Sequence, residues 1–326
     1  MPVCLDSTGT GSEEVKYLSE VLQSPSNKIQ EINLSLNNVN VEGAELLSVA
    51  LQSLNCKIQD IHLCRCRIRD QGTKHLSKAI QSPHCKIQNI NLSGNEIGES
   101  GTEYLFKALQ SPHNKMQMID LSYNRIGTVG AAHVSEALQS PHCKVQTIHL
   151  SSNNIGPEGV GHLSIALKSP HCNVQNIYLS NNSIGPEGTA TLSEALLSPQ
   201  CKIQKIDLSK NNIGDEGAAY LSKALQNPHC KIVDIRLSEN NIGHEGAVHL
   251  SKTLQRPHCK LQSIYLSYNT IGATGAAHLF EALKSPHCKI QKIDLSLSKI
   301  PEEWKKKLNS LYRRPQNVRP GFIIDI

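Results

Sequence analysis

Residues 172–200 read CNVQNIYLSNNSIGPEGTATLSEALLSPQ, and this 29-residue pattern recurs along most of the chain. Its first position is Cys in eight copies, at gaps of 29 residues or a multiple of 29, and Asn27 and Asn114 fill the same position in two more. A fixed period of this length indicates an array of stacked structural repeats. The eight cysteines are Cys56, Cys85, Cys143, Cys172, Cys201, Cys230, Cys259 and Cys288.

Within each repeat the spacing of apolar residues changes once. In the repeat that starts at Val145, Ile148 and Leu150 are separated by a polar residue, which predicts a short strand. Beyond Gly156 and Pro157 the apolar residues fall at helical spacing, and Pro157 suits a first helical turn. Ser169-Pro170 ends that helix, because the residue before Pro avoids the α region. Each repeat is therefore predicted to be a strand, a turn and a helix.

Stacking such repeats predicts a curved α/β solenoid. Parallel strands stack about 4.8 Å apart, whereas packed helices need about 8–10 Å, so the stack bends into a horseshoe. The strands then line the concave face and the helices the convex face. We predict a partial repeat and cap over residues 1–28, ten repeats over 29–300, and a capping helix with a basic tail over 301–326. The ten repeats start at Ile29, Ile58, Ile87, Met116, Val145, Val174, Ile203, Ile232, Leu261 and Ile290.

The residues of the strand and turn also carry a family resemblance. Ile-x-x-Ile-x-Leu-x-x-Asn-x-Ile followed by Gly and a helix resembles the leucine-rich repeat. The 29-residue length and the Ser-Pro-His-Cys-Lys-Ile-Gln junction are similar to the ribonuclease-inhibitor-like subclass, which is also found in the sensor regions of NOD-like receptors. The resemblance covers residues 3–300, and the Asn of the repeat is replaced at Cys66 and Ser298.

The two ends of the array are expected to act as caps, as terminal repeats must. Val3 and Leu5 align with strand positions of a truncated repeat. At the other end Trp304 opens a different helix and is expected to cover the last repeat, with Leu308 and Leu311 on one side. The basic residues of the C-terminal tail include Arg313, Arg314 and Arg319, and we interpret them as a solvated helix end.

Composition narrows the class of protein. Three Phe and one Trp leave the core to aliphatic residues. No stretch approaches the roughly 18 apolar residues of a membrane helix, and the N-terminus lacks the layout of a secretory signal. Eleven Cys in 326 residues are too few for a disulfide scaffold. We expect a monomeric protein of the reducing cytoplasm with no membrane partner and no cofactor; the alternative is delivery into another cell.

The recurrent Pro-His-Cys could suggest a ladder of metal ligands. Gln200 replaces the His, and Asn27 and Asn114 replace the Cys, so single repeats do without either ligand. The paired spacing of zinc sites is also missing, and we predict no metal. The interpretation preferred here is a buried small side chain at the helix-to-strand junction. Cys64 and Cys66 point in different directions, so shared ligation is not expected there either.

Positions that vary between repeats are the candidate binding residues. They lie at the third and fifth positions of the strand, at the eighth and at the tenth. Tyr and Arg are the residue types that most often dominate interface energies. The strongest patch is Tyr265, Tyr268, Arg236 and Glu239, and a second candidate is Arg65, Arg67 and His62. The remaining candidates are Tyr178, Tyr123, Asp207 and Lys210.

Charge on these four positions argues against several functions. Over the ten repeats these positions hold eight acidic residues and eight Lys or Arg, so the strand face is neutral overall. An inhibitor of basic ribonucleases should present an acidic face, and nucleic acid would need a basic stripe, so we expect no nucleic acid. We predict a non-enzymatic scaffold that binds a partner protein on the concave strand face. The alternatives are a GTPase activator of the Ran-GAP type acting from the rim, for which an acidic tail would be expected, and ligand sensing in innate-immune style, which would need a switch domain.

Overall fold

The computed structural model describes residues 2–5, 9, 11–312 and 322–326. They divide into two compact parts. The N-terminal body comprises Met1–Ile155 with Ser169–Val174, and the C-terminal body comprises Gly156–Lys168 with Gln175–Ile326. The basic residues Arg313, Arg314 and Arg319 lie outside the described residues.

Short strands and helices alternate along the described chain. The strands are β1 (Pro2–Cys4), β2 (Glu31–Asn33), β3 (Asp60–His62), β4 (Asn89–Asn91), β5 (Met118–Asp120), β6 (Thr147–His149), β7 (Asn176–Tyr178), β8 (Lys205–Asp207), β9 (Asp234–Arg236), β10 (Ser263–Tyr265), β11 (Lys292–Asp294) and β12 (Ile323–Asp325). The helices are α1 (Ser12–Gln23), α2 (Asn40–Leu51), α3 (Arg69–Ile80), α4 (Glu99–Leu109), α5 (Gly127–Leu138), α6 (Gly156–Leu167), α7 (Gly185–Leu196), α8 (Gly214–Leu225), α9 (His244–Leu254), α10 (Gly272–Leu283) and α11 (Glu302–Tyr312).

All strand pairs are parallel and in phase with the 29-residue period. In the N-terminal body β1 to β6 pair in chain order, and in the C-terminal body β7 to β12 do the same. The middle residue of each repeat strand is buried, as Ile206 is, while its two neighbours face outward. The α/β solenoid predicted from the period is confirmed, with strands forming the inner layer of each body and helices the outer layer.

In eight of the ten repeats a buried asparagine ties consecutive turns together. Asn211 is 1 % exposed; its Nδ2 donates to the carbonyls of Leu179 and Leu208 at 2.9 and 3.0 Å. Its Oδ1 accepts the backbone N–H of Asn182 at 2.8 Å. Because the turn's backbone groups are buried, this side chain supplies partners that strands and helices cannot. At the end of the array Ser298 takes the same place, and its hydroxyl donates to Leu266 at 2.7 Å.

The C-terminal end differs in part from the prediction. Leu308 and Leu311 on α11 are buried, and the Trp304 ring meets that of Phe280 edge to face at 6.1 Å, so Trp304 packs against the last helix of the array as expected. The additional strand β12, by contrast, was missed by the sequence analysis. It pairs with β11, and two hydrogen bonds of 2.7 Å flank the pairing: Ile323 N–H donates to the Gln291 carbonyl, and Leu295 N–H donates to the Asp325 carbonyl.

Candidate functional site

Residues of equal position in successive repeats lie side by side on the strand face. In the C-terminal body the fifth positions form one line, because each pairs in register with the next. We call this line the strand row; it consists of Tyr178, Asp207, Arg236, Tyr265 and Asp294. The eighth positions follow each strand and form a second line, the turn row: Asn181, Lys210, Glu239, Tyr268 and Leu297.

Tyr265 follows Arg236 in the strand row, and its ring contacts two cations. The Arg236 guanidinium carbon lies 5.3 Å from the Tyr265 ring centroid, and the Lys292 Nζ lies 5.2 Å from it. Arg236 also faces the Asp207 carboxylate at 3.9 Å. Cations over an aromatic face are attracted to its negative quadrupole, so the three side chains hold one another in place.

The turn row combines an ion pair with exposed apolar surface. Lys210 Nζ lies 3.2 Å from Glu239 Oε1. Tyr268 and Leu297 follow along the row and are 58 % and 65 % exposed. A charged segment thus borders an exposed aromatic and an exposed aliphatic side chain, which is the mixture that protein interfaces use.

Every residue at the eighth position, in both bodies, has a positive φ. The values range from 52° at Arg65 to 68° at Gly94, and only that one copy is Gly. Left-handed backbone costs a residue with a side chain about 1 kcal/mol or more. Tyr268 at 56° and Leu36 at 60° are bulky residues in that region. Because all ten repeats share this conformation, it belongs to the geometry of the repeat turn.

Beside the strand row, Asp234 lies in a crowded electrostatic environment. Burial raises the pKa of its carboxyl, and Asp207 also raises it, while Arg236, Lys205 and Lys292 act in the opposite direction. The site therefore alternates in sign over short distances instead of presenting one charge.

The N-terminal body carries a cavity on its strand face. Its volume is about 490 Å³, and its lining includes His62, Arg65 and Tyr123. Gly94 forms part of the wall: a Cβ there would lie 2.8 Å from Arg65 Cγ, so the Arg65 side chain passes directly over the glycine. Tyr123, 67 % exposed, stands at the edge. The other lining residues are Asn33, Ser35, Leu36, Cys64, Asn91 and Ser93.

The predicted second patch is only partly brought together. His62 lies 3.7 Å from Glu31 and lines the cavity with Arg65. Arg67 is outside that lining and donates to Asn38 Oδ1 at 3.3 Å. Tyr123, named as a separate candidate from the sequence, shares the cavity with Arg65 instead.

The Pro-His-Cys junctions place their two possible ligands on different sides of the backbone. Cys143 is 2 % exposed whereas His142 is exposed, and the pattern holds in the other copies. Burial raises the pKa of the thiols of Cys56, Cys85, Cys143, Cys230 and Cys259.

Across the described residues, no group of three or more His, Cys, Asp or Glu lies close enough to hold a metal ion. In the same residues no helix combines the length and apolarity needed to cross a membrane.

Sequence reasoning missed three features of these surfaces. The cation–π role of Lys292, the cavity around Gly94 and the positive φ of the turn row were not predicted. The one available indication was Gly94, since it is the only eighth position without a side chain.

Comparison with known proteins agrees with this architecture. The family model described as "Leucine Rich repeat" matches residues 26–48, 142–164, 200–222 and 258–280. A search of curated protein sequences finds no significant match.

Solved structures share the fold at low sequence identity. The leucine-rich repeat-containing protein LegL7 from Legionella pneumophila aligns with a TM-score of 0.56 at 18 % identity, over 95 % of this chain and 98 % of LegL7. An internalin, inlF, from Listeria monocytogenes aligns with a TM-score of 0.50 at 14 % identity, over 95 % and 81 %. A chain of the Rad7 and Elc1 complex from yeast aligns with a TM-score of 0.54 at 11 % identity, over 98 % and 85 %. At these identities the similarity shows the fold alone.

Proposed function

Because the chain is a leucine-rich repeat protein, we propose that it is a non-enzymatic scaffold that binds a segment of a partner protein on its concave strand face. The 29-residue repeat with a full helix on the outer side supports placing it in the ribonuclease-inhibitor-like subclass. Solenoids of stacked repeats use their extended inner surfaces for binding. The primary contact is the strand row and turn row of the C-terminal body.

The observation that carries the proposal is the group of Arg236, Tyr265 and Tyr268. Arg236 and Lys292 lie over the Tyr265 ring and restrict its orientation, which reduces the side-chain entropy lost on binding. Tyr268, the next turn residue along the array, is 58 % exposed. An aromatic ring this exposed adds little to the stability of the fold, and burial against a partner gives it a role.

The cavity of the N-terminal body supplies a second contact of different chemistry. Arg65 and the amides of Asn33 and Asn91 offer donors, while Leu36 and Tyr123 offer apolar surface. A volume of about 490 Å³ accommodates one or two side chains of a partner.

A capture experiment with matched variants tests the proposal. The intact protein and a triple variant are each immobilised, and the proteins that they retain are identified by mass spectrometry. The triple variant, called the concave variant, combines Arg236→Ala, Tyr265→Ala and Tyr268→Ala. The control combines Ile165→Ala, Tyr220→Ala and Lys223→Ala on the outer surface of α6 and α8, removing one cation, one Tyr and one aliphatic side chain. Thermal unfolding of each variant checks that the fold persists.

We expect a specific partner to be retained by the intact protein and the control, and lost by the concave variant. One truncated hot spot weakens binding by about 2 kcal/mol, which is roughly thirtyfold. Equal retention by both variants would contradict the assignment of the site. Accelerated GTP hydrolysis by a captured small GTPase would instead support the GTPase-activator alternative.

A further inference from the structure

Positive and negative charges are unevenly distributed between the segments that follow the helices and the remainder of the chain. Each repeat has a six-residue segment between its helix and the next strand, which we call a junction. The ten junctions hold 12 of the 33 Lys and Arg and none of the 28 Asp and Glu, leaving 21 cations against 28 acids elsewhere. The junctions are residues 23–28, 52–57, 81–86, 110–115, 139–144, 168–173, 197–202, 226–231, 255–260 and 284–289.

Nine of those cations are a Lys at the last junction position. In the N-terminal body these junction lysines are Lys28, Lys57, Lys86, Lys115 and Lys144. In the C-terminal body they are Lys202, Lys231, Lys260 and Lys289. Arg256, Lys168 and Lys284 add further charge.

The 29-residue register places the junction lysines at equivalent points of successive repeats, along one edge of each body, and two hydrogen bonds illustrate how they reach towards the preceding repeat. Lys115 Nζ donates to the Cys85 carbonyl at 2.9 Å, which belongs to the preceding junction. Lys260 Nζ reaches the preceding junction in the same way, donating to Cys230 at 3.0 Å. Because the junctions lie between strand and helix, we expect successive junctions to be spaced between the roughly 4.8 Å of strands and the roughly 8–10 Å of helices.

This charge is not neutralised locally. Lys57, Lys86 and Lys144 make no ion pair with an acidic side chain of the described residues, and Lys57 and Lys144 are exposed. No acidic residue occurs within the junctions themselves. A row of like charges at this spacing favours a polyanion that can run along it.

The composition of the junctions narrows the kind of polyanion. No Phe, Tyr or Trp occurs in any junction, so no platform exists on which unpaired bases could stack. Leu54 and Leu197 are their only Leu, Ile, Val or Met residues, which is too little apolar surface for membrane insertion. An extended peptide places every second side chain on one face, about 6.6–6.8 Å apart, within the spacing of the junction lysines.

We propose that the junction edge of the N-terminal body binds an extended acidic segment of a partner protein. Lys57 and Lys86, in adjacent repeats, contact neighbouring carboxylates on one face of the segment, and Lys144, two repeats beyond Lys86, contacts a carboxylate further along it. This edge is separate from the concave strand face, so the contact exists whether or not the concave face binds as proposed.

Fluorescence anisotropy with a labelled 12-residue peptide of alternating Glu and Thr tests this contact. The variant combines Lys57→Gln, Lys86→Gln and Lys144→Gln. The control combines Lys16→Gln, Lys74→Gln and Lys78→Gln, three exposed lysines on α1 and α3 of the same body, so that both proteins have equal net charge. We expect about tenfold weaker binding by the junction variant and little change in the control.

Several results would overturn the proposal. Equal weakening in both variants would show that only net charge matters, and absence of binding to the intact protein would exclude the contact. Tighter binding of an unstructured 20-nucleotide RNA or of phosphatidylserine vesicles would assign the edge to another class of polyanion. The variant of the concave face (Arg236→Ala, Tyr265→Ala and Tyr268→Ala combined) should bind the peptide as tightly as the intact protein. If that variant lost binding, the peptide would lie on the strand face, and the proposal for the junction edge would be refuted while the proposed function would stand.

Discussion

Replacing the buried asparagine of one turn should measure how strongly the repeats are tied together. Asn95 is fully buried. Its Oδ1 accepts the backbone N–H groups of Cys66 and Ile68 at 2.9 and 3.1 Å, and its Nδ2 donates to the Leu63 carbonyl at 2.7 Å. Asn95→Ala removes these three bonds to the preceding repeat, and a longer one of 3.3 Å to the Ser93 carbonyl of its own repeat, so backbone groups of two repeats lose a partner.

The expected loss of unfolding free energy follows from those groups. Each buried polar group left unsatisfied costs about 1–3 kcal/mol, so two N–H groups and a carbonyl predict a total of about 3–5 kcal/mol after relaxation. Asn95→Cys should cost about half as much, because Cys66 occupies the equivalent place and its thiol donates to Leu34 at 3.0 Å.

Urea unfolding followed by circular dichroism measures the difference. Asn38→Ala is the control, since Asn38 is exposed and should change stability by no more than about 0.5 kcal/mol. Repeats can unfold separately, so midpoints and slopes are both compared. A loss below about 1 kcal/mol for Asn95→Ala would refute the role given to the asparagines.

Two further predictions concern packing and thiol chemistry. Gly130→Ala should lower the free energy of unfolding by about 1–3 kcal/mol, because the new Cβ would lie 2.5 Å from Ile126 Cγ2. Gly161→Ala should raise it by about 0.5–1 kcal/mol, because Gly161 lies in α6 with open space around it. Thermal unfolding of the two variants checks both signs. A thiol reagent at pH 8 should label Cys4 and Cys64 in the folded protein, because the other nine cysteines are buried and the raised pKa of several of them reduces the thiolate, and all eleven should react in urea. Rapid labelling of more than two native thiols would contradict the packing of the junctions.

The repeat made most of the fold predictable. Because the period is strict, Ile206, Asn211 and Cys230 have counterparts in similar environments in most other repeats. A strand and a helix predicted for one repeat therefore apply to the others. β12 escaped prediction because Ile323–Asp325 lies outside the period, and its strand conformation depends on pairing with β11.

The candidate site was less predictable, for two physical reasons. The variable positions identify which side chains face outward, but the contact of Lys292 with Tyr265 depends on rotamers that no pattern encodes. The positive φ of Tyr268 and Arg65 was also hidden, because left-handed backbone is normally marked by Gly or Asn.

Oxidative footprinting of tyrosines with a captured partner tests the binding face most directly. Tyr265 and Tyr268 lie on the strand face of the C-terminal body, while Tyr220, 38 % exposed on α8, and Tyr17, 72 % exposed on α1, lie on the helices. The account predicts that the partner protects Tyr265 and Tyr268 and leaves Tyr220 and Tyr17 unchanged. Protection of the helical tyrosines with unchanged modification of Tyr268 would contradict it.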